Sequence, residues 1–236
     1  MQENKPAGFF ITGTDTDVGK TYVATQIIKA YAESGVRVSG FKPIASGAEF
    51  SDGRWVNSDA MSLMKQASVN LPYELVNPYC FEPAIAPHIA AQQAAVEIDP
   101  ARINSSYKKH VEQSDLVIVE GAGGWKVPLN DELGFDDLAL DLGLPVVLVV
   151  GVKLGCINHA LLTEEAILNK GCRIAGWVAN SCSANFEQLA ENISTLNKRM
   201  DSPCIGVFRY TASEEKNTEL DQKNIRSLLA CLSEFS

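Results

Sequence analysis

The run Gly13-Thr14-Asp15-Thr16-Asp17-Val18-Gly19-Lys20-Thr21 sets a glycine-rich turn between an apolar segment, Gly8-Phe9-Phe10-Ile11, and an amphipathic one from Tyr22 to Tyr31. That order is strand, turn, helix. Backbone N–H groups at a helix start point outward at the positive end of its dipole, so such a turn can cradle phosphate oxygens. Lys20 is placed to reach terminal phosphates, and the Thr21 hydroxyl to sit on Mg²⁺. The chemistry implied is that of a nucleoside triphosphate site. The spacing departs from the common pattern, because five residues separate Gly13 from Gly19 and two of them, Asp15 and Asp17, are acidic. Glycine and aspartate also make turns and cap helices, but Gly-Lys-Thr at a strand-to-helix junction favours phosphate.

Further polar residues stand where other strands end. Val36 to Lys42 reads as a strand stopped by Pro43, which places Lys42 at its carboxyl end and Ser46 just beyond. Leu116-Val117-Ile118-Val119-Glu120 is a continuous apolar run ending in an acid and then Gly121-Ala122-Gly123-Gly124, which suits a strand buried on both faces. Asp59 opens a helical pattern, as a cap or as more. Thr21, Asp59 and Glu120 are the hard oxygen ligands available for magnesium. Lys42 adds a second cation beside Lys20, and two cations imply two anions: a triphosphate and an anionic acceptor positioned for in-line attack. A snorkelling edge lysine is the plain alternative. Gly155-Cys156-Ile157-Asn158-His159, between a strand and a helix, forms another anion site, small enough for a carboxylate. Cys156 lacks a His/Asp arrangement that would make it a nucleophile, and His88 and His159 show no metal spacing.

Elements must bring these residues together. Strands at Pro145 to Gly151, Ile174 to Asn180 and Cys204 to Val207 alternate with helices at about Pro100 to Gln113, Asn158 to Asn169 and Asp221 to Leu232. Ala45 to Asn57 reads as loop, and Leu71 to Pro87, with four prolines, as irregular chain wrapping the surface. Repeated strand-helix units imply an α/β fold, one domain over residues 1–236, with a mostly parallel sheet, helices on both faces and right-handed crossovers. Ligand sites in such sheets lie beyond the strands' carboxyl ends.

Bulk properties narrow the partners. Acidic residues outnumber basic ones 29 to 20, a net charge of −9, which argues against a nucleic-acid binder. Six scattered cysteines without Cys-x-x-Cys read as reduced thiols of a cytoplasmic protein. No export signal or membrane anchor is read from the sequence, since the longest apolar run, Leu144 to Val152, is too short to span a bilayer.

Eight stretches, in order over about four-fifths of the chain, resemble the dethiobiotin synthetases of the biotin pathway, enzymes of P-loop NTPase type. They are Gly13 to Thr21, Phe41 to Gly47, Asn57 to Ala60, Val76 to Tyr79, Ala86 to His88, Val119 to Trp125, Val150 to His159 and Gly176 to Asn180. The longer phosphate loop is that family's form. The resemblance implies a ligase in which 7,8-diaminopelargonate takes CO₂ as a carbamate, ATP phosphorylates the carbamate to a carbamic-phosphoric anhydride, and the second amine closes the cyclic urea. The products are dethiobiotin, ADP and phosphate, with Mg²⁺ as cofactor.

On matching positions, Lys42 and Lys20 would be catalytic, holding carbamate and phosphoryl, and Thr21, Asp59 and Glu120 would hold magnesium. The nucleotide would contact Gly13, Asp17, Val18, Gly19, Lys20, Thr21, Tyr22, Asp59, Glu120, Gly121, Ala122, Gly123, Asn180, Ser181, Arg209, Tyr210 and Thr211, with Asn180 reading the adenine edge. Thr16, Lys42 and Ser46 would bind the diamine, and Gly155, Cys156, Ile157 and Asn158 its carboxylate across a homodimer interface. One departure stands out. Where the family closes over adenine with a proline and a large hydrophobic residue, this chain has Phe208-Arg209-Tyr210-Thr211. That leaves nucleotide selectivity open, and with it a related synthetase or an ATPase switch with another acceptor. A switch would carry a second lysine about where Asp15 to Asp17 stand.

Overall fold

The computed structural model describes residues 7–181, 188–210, 225 and 228–232. Six strands form one parallel sheet: β1 (Ala7–Gly13), β2 (Val38–Phe41), β7 (Leu116–Glu120), β8 (Val146–Gly151), β9 (Ile174–Asn180) and β10 (Cys204–Phe208). Their spatial order is β10-β9-β8-β1-β7-β2. The chain leaves β1 in one direction to build β2 and β7, then returns to place β8 on the other flank of β1. Chain direction therefore reverses at β1, and a crevice opens beyond its carboxyl end.

The apolar runs cover both faces because successive side chains alternate. In β7, Val117 and Val119 join one buried cluster, while Leu116 and Ile118 join the other. The first layer is closed by α5 (Pro100–Gln113), α6 (Phe135–Leu142), α7 (Cys156–Asn169) and α8 (Leu189–Arg199). The second is closed by α1 (Lys20–Glu33), α2 (Ser58–Gln66) and the buried Leu228 and Leu232 of the last helical residues. On α1, Val23, Ala24, Ile27 and Ile28 recur at helical spacing and are fully buried. Each isoleucine there contributes on the order of 1.5–3 kcal/mol by leaving water.

The segments read as loop hold more order than their composition suggests. Ala45 to Asn57 contains part of β3 (Ile44–Ser46) and a hairpin of β4 (Glu49–Ser51) and β5 (Arg54–Val56). The proline-rich stretch contains α3 (Tyr73–Val76) and β6 (Tyr79–Phe81), which pairs in parallel with β3, and ends at α4 (Pro87–Gln93). The prolines punctuate these short pieces: Pro72 precedes α3, and Pro87 takes the first turn of α4, where no N–H is needed. Two further helices, α6 and α8, were absent from the sequence reading, although Phe135, Leu138, Ala139 and Leu142 have helical spacing. Most of the helix expected from Asp221 lies outside the described residues, which include 225 and 228–232.

Candidate active site

Helix α1 begins at Gly19, whose φ of 91° belongs to the left-handed region, and no side chain caps it. The Asn180 amide fills the space where a side chain would go: a Cβ at Gly19 would meet its Nδ2 at 2.1 Å. That Nδ2 donates to the Val18 carbonyl at 2.8 Å, so the end of β9 holds the loop in shape. The start of α1 thus has no side-chain cap at its positive end, an arrangement suited to phosphate. By contrast, α2 and α5 are capped in the usual way by Asn57 and Asp99.

Four side chains from separate elements meet beside this loop. Lys42, just beyond β2, extends its ammonium to Glu120 Oε1 at 2.8 Å, Asp59 Oδ2 at 3.0 Å and the Gly121 carbonyl at 3.2 Å. Thr21 donates its hydroxyl to Glu120 Oε1 at 2.8 Å. Lys42 and Glu120 are buried, 3 % and 0 % exposed. Burial works against charge on Lys42, yet Glu120 and Asp59 outweigh it and raise its pKa. Burial likewise pushes Asp59 up, and Lys42 more than reverses that. Lys20 goes the other way: burial first, and the charge of Lys42 second, pull it down to about 8. Its ammonium rests on the Asp15 carbonyl at 2.9 Å. An arriving polyanion would restore its full charge.

The residues fit a divalent ion. Glu120 Oε2 is buried and has no hydrogen-bond partner among the described residues. Thr21 and Asp59 lie beside it, the Thr21 hydroxyl also bonding Asp59. A buried, unpaired carboxylate oxygen beside a hydroxyl and a second carboxylate is a donor set for a hard cation.

These groups line a cavity of about 790 Å³, together with Thr16, Asp17, Gly19, Ser46, Ala122 and Gly123. Sequence reasoning missed Ala45, Asn57, Ala84, Ile85, Ala86, Pro87 and Val127, which complete its wall. Asn57 carried a signal, since asparagine two residues before Asp59 is a preferred cap. The structure gives it the capping role, with Oδ1 accepting from the Asp59 and Ala60 N–H groups at 3.0 and 3.3 Å. The cap reading of Asp59 is thereby corrected. Its side chain is left for Lys42.

Other nominated residues stand apart from this cavity. Gly13, Val18 and Gly121 shape the loop and strand ends behind it, and Tyr22 packs edge-on against Phe208 with ring centroids 5.4 Å apart. Ser181 is buried, its N–H donating to the Phe208 carbonyl at 2.9 Å. Arg209 borders a separate open depression against α8, with Lys198 and Asn197, and Tyr210 is half-exposed. Thr211 lies outside the described residues. Gly155 to Asn158 form the start of α7, again with an uncapped glycine, φ 92°, and none of them borders the cavity. Burial raises the Cys156 thiol, which donates to Asn192 Oδ1 at 3.5 Å.

Residues 7–224 match the protein family described as an AAA domain. Curated relatives named ATP-dependent dethiobiotin synthetase BioD cover most of the chain. That of Pseudomonas paraeruginosa is 50% identical over 199 residues, 84% of this chain and 87% of the relative. That of Aromatoleum aromaticum is 46% identical over 211 residues, 89% and 94%, and that of Vibrio parahaemolyticus 43% identical over 221 residues, 94% and 97%. The chain belongs to the ATP-dependent dethiobiotin synthetase family. It is therefore an ATP-dependent ligase with a P-loop fold. Solved structures agree on the fold: the MinD cell division protein of Aquifex aeolicus superposes with a TM-score of 0.61 at 12% identity, covering 96% of this chain and 97% of that one. MinD of Pyrococcus horikoshii, complexed with Mg-ADP, gives 0.59 at 15%, covering 94% of each. Among the described residues no helix is long and apolar enough to cross a membrane.

Proposed function

We propose that this protein closes the ureido ring of dethiobiotin from 7,8-diaminopelargonate, CO₂ and ATP in the cavity bounded by Lys20, Lys42, Asp59 and Glu120. The observation that carries the reading is the Lys42 ammonium, held inside the phosphate cavity by two carboxylates. One amine takes CO₂ as a carbamate. A carbamate oxygen then attacks the γ-phosphoryl of ATP in line and releases ADP. The second amine displaces phosphate from the resulting anhydride and closes the ring. Lys42 faces the carbamate and keeps its charge at any physiological pH, because its acidic neighbours hold its pKa up. Lys20 swings from the Asp15 carbonyl to the transferring phosphoryl. The N–H groups at the start of α1 bind the remaining phosphates, with Thr16, Ser46 and Gly123 bordering the acceptor.

Thr21, Asp59 and Glu120 would hold Mg²⁺, which when bound neutralises phosphate charge and orients the γ-phosphoryl. The apolar wall of Ala84, Ile85, Ala86, Pro87 and Val127 suits the hydrocarbon chain of the diamine. Its distal carboxylate would reach the start of α7 on a second copy of the chain. In support of a homodimer, Leu154, beside that helix start, is 94 % exposed. Asn180, Ser181, Arg209, Tyr210 and Thr211 would surround the base, and Tyr210, half-exposed, is free to stack on it. The acidic balance and reduced cysteines suit the cytoplasm.

The decisive measurement is ADP release with each component withheld. Turnover should require both the diamine and bicarbonate. Equal turnover with neither would make the protein an ATPase switch instead.

A further inference from the structure

Behind the cavity, the hydroxyl of Tyr73 joins two asparagines, one bonded to the Asp59 backbone and one to the Lys42 backbone. It accepts from the Asn57 N–H at 2.8 Å and donates to Asn77 Oδ1 at 2.9 Å, with the Cys80 thiol at 3.4 Å. Asn57 caps α2 through the Asp59 N–H, at 3.0 Å, and donates its Nδ2 to the Ser46 carbonyl at 3.3 Å. Asn77 donates Nδ2 to the Lys42 carbonyl at 2.6 Å, while the Lys42 N–H donates to the Val76 carbonyl at 2.9 Å. Both peptide groups of Lys42 are thereby pinned from the α3 side, and Asp59 from the Asn57 side. One phenol oxygen connects the two.

Tyr73, Asn57 and Asn77 are all buried, and Tyr73 and Asn77 do not line the cavity. The ring is itself fixed, with the Arg54 guanidinium 4.9 Å above it and Leu71 and Val76 in the same buried cluster. Burial, with the Cys80 contact adding to it, raises the phenol pKa. The group therefore stays a neutral donor and acceptor throughout any working pH. A buried network with every member satisfied specifies one geometry, and removing a member leaves its neighbours unpaired and free to shift.

We propose that Tyr73 is a positioning residue for ring closure, setting the spacing of Lys42, Asp59 and Ser46 through Asn77 and Asn57 while touching no substrate. The proposal rests on the reading that Lys42 acts on the carbamate. Misplacing a reacting group by about 1 Å can cost on the order of 100-fold in rate. Removing the hydroxyl therefore acts on kcat and leaves the phosphate loop, and with it ATP binding, in place.

The test compares Tyr73→Phe, which keeps the ring under Arg54, with Tyr107→Phe, which removes a phenol from α5 that no part of the site uses. Tyr73→Phe should lower kcat about 10-fold to 100-fold with KM for ATP within about twofold, while Tyr107→Phe should change neither. A second readout needs no turnover. In ¹⁵N-lysine-labelled protein without ligands, the Lys42 ammonium, assigned by its loss in Lys42→Met, should exchange slowly and give a resolved signal. Tyr73→Phe should shift or broaden that signal. An ammonium signal unchanged by Tyr73→Phe overturns the proposal, whatever the rate, as does a kcat loss matched by Tyr107→Phe. Were the wild type to show no diamine-dependent turnover, the proposed function would fall, and the ammonium signal alone would decide whether Tyr73 sets the placement of Lys42.

Discussion

Helices α1 and α7 start alike and serve different surroundings. Each follows the carboxyl end of a central strand, each begins at a glycine with φ near 90°, and neither has a side-chain cap. The two starts are even tied together, by the Asp15–Lys153 ion pair at 3.1 Å. Yet α1 opens into a half-open cavity where Lys42, Asp59 and Glu120 converge, while α7 opens outward beside an almost fully exposed leucine. The local device is the same. What separates a phosphate site from a surface turn is which side chains other strands deliver to it. At α1 they come from the same chain, and at α7 the proposed partner is a second copy.

The largest effect should follow from emptying the α1 side of that comparison. Lys42→Ala should lower kcat by about 10²–10³, the usual cost of losing one fixed charge-stabilising group, with a much smaller change in ATP affinity. Single-turnover kinetics beside a nucleotide-binding titration separate the two. Near-wild-type turnover would reduce Lys42 to a structural ion pair and leave α1 no more specialised than α7.

Next comes Lys20, whose burial is part of what makes the α1 start unlike the α7 start. Its pKa in the folded protein is about 8 against an ordinary 10.5, so the unfolded chain binds more protons between those values. Its contribution to stability is full above pH 10.5, falls as pH drops through the window, and is lowest below about 8, where the buried ammonium is charged. Lys20→Met should therefore stabilise the ligand-free protein at neutral pH, by about 3 kcal/mol at most. The difference between variant and wild type in urea unfolding should shrink from pH 8 to 10. A difference constant across that range would place Lys20 in a solvent-like setting.

A smaller change should come from the metal-facing oxygens. Glu120→Gln should raise the magnesium concentration needed for half-maximal turnover about tenfold or more, and Asp59→Asn by less, since its side chain is 38 % exposed. Unchanged magnesium titrations in both would assign these acids to holding Lys42 alone.

How much of this was legible in the sequence follows the range of the interactions. The phosphate loop, Lys42 and Glu120 could be read because each is fixed by its own strand or turn, and an apolar run ending in Lys or Glu announces a sheet edge. The parallel sheet followed from the strand-helix alternation, but its order, with β1 between β8 and β7, did not, because alternation says nothing of which strands pair. Asn57 was missed as a cap because Asp59, two residues on, is an equally good capping type. Tyr73 and Asn77 were invisible because their work is done on residues up to 35 positions away, by hydrogen bonds that no local pattern encodes. The prolines hid α3 and β6, since short elements stabilised by tertiary pairing leave little periodicity.

The sharpest use of the α1–α7 comparison concerns the smallest expected effect on a single chain. Leu154 is so exposed that replacing it costs an isolated chain little: Leu154→Glu should alter stability by about 0.5 kcal/mol or less. If the α7 start is completed by a second copy, the same change places a carboxylate beside the point where the substrate's own carboxylate must bind. Like-charge repulsion and loss of apolar contact should then weaken the dimer in sedimentation and raise KM for the diamine several-fold, with KM for ATP unchanged. The asymmetry between the two KM values is the discriminating result, because the proposal builds the phosphate half within one chain and the carboxylate half across two. A variant that stays dimeric with both KM values intact would show that the outward-facing turn takes no part in the reaction, and that the α1 cavity alone binds the whole substrate.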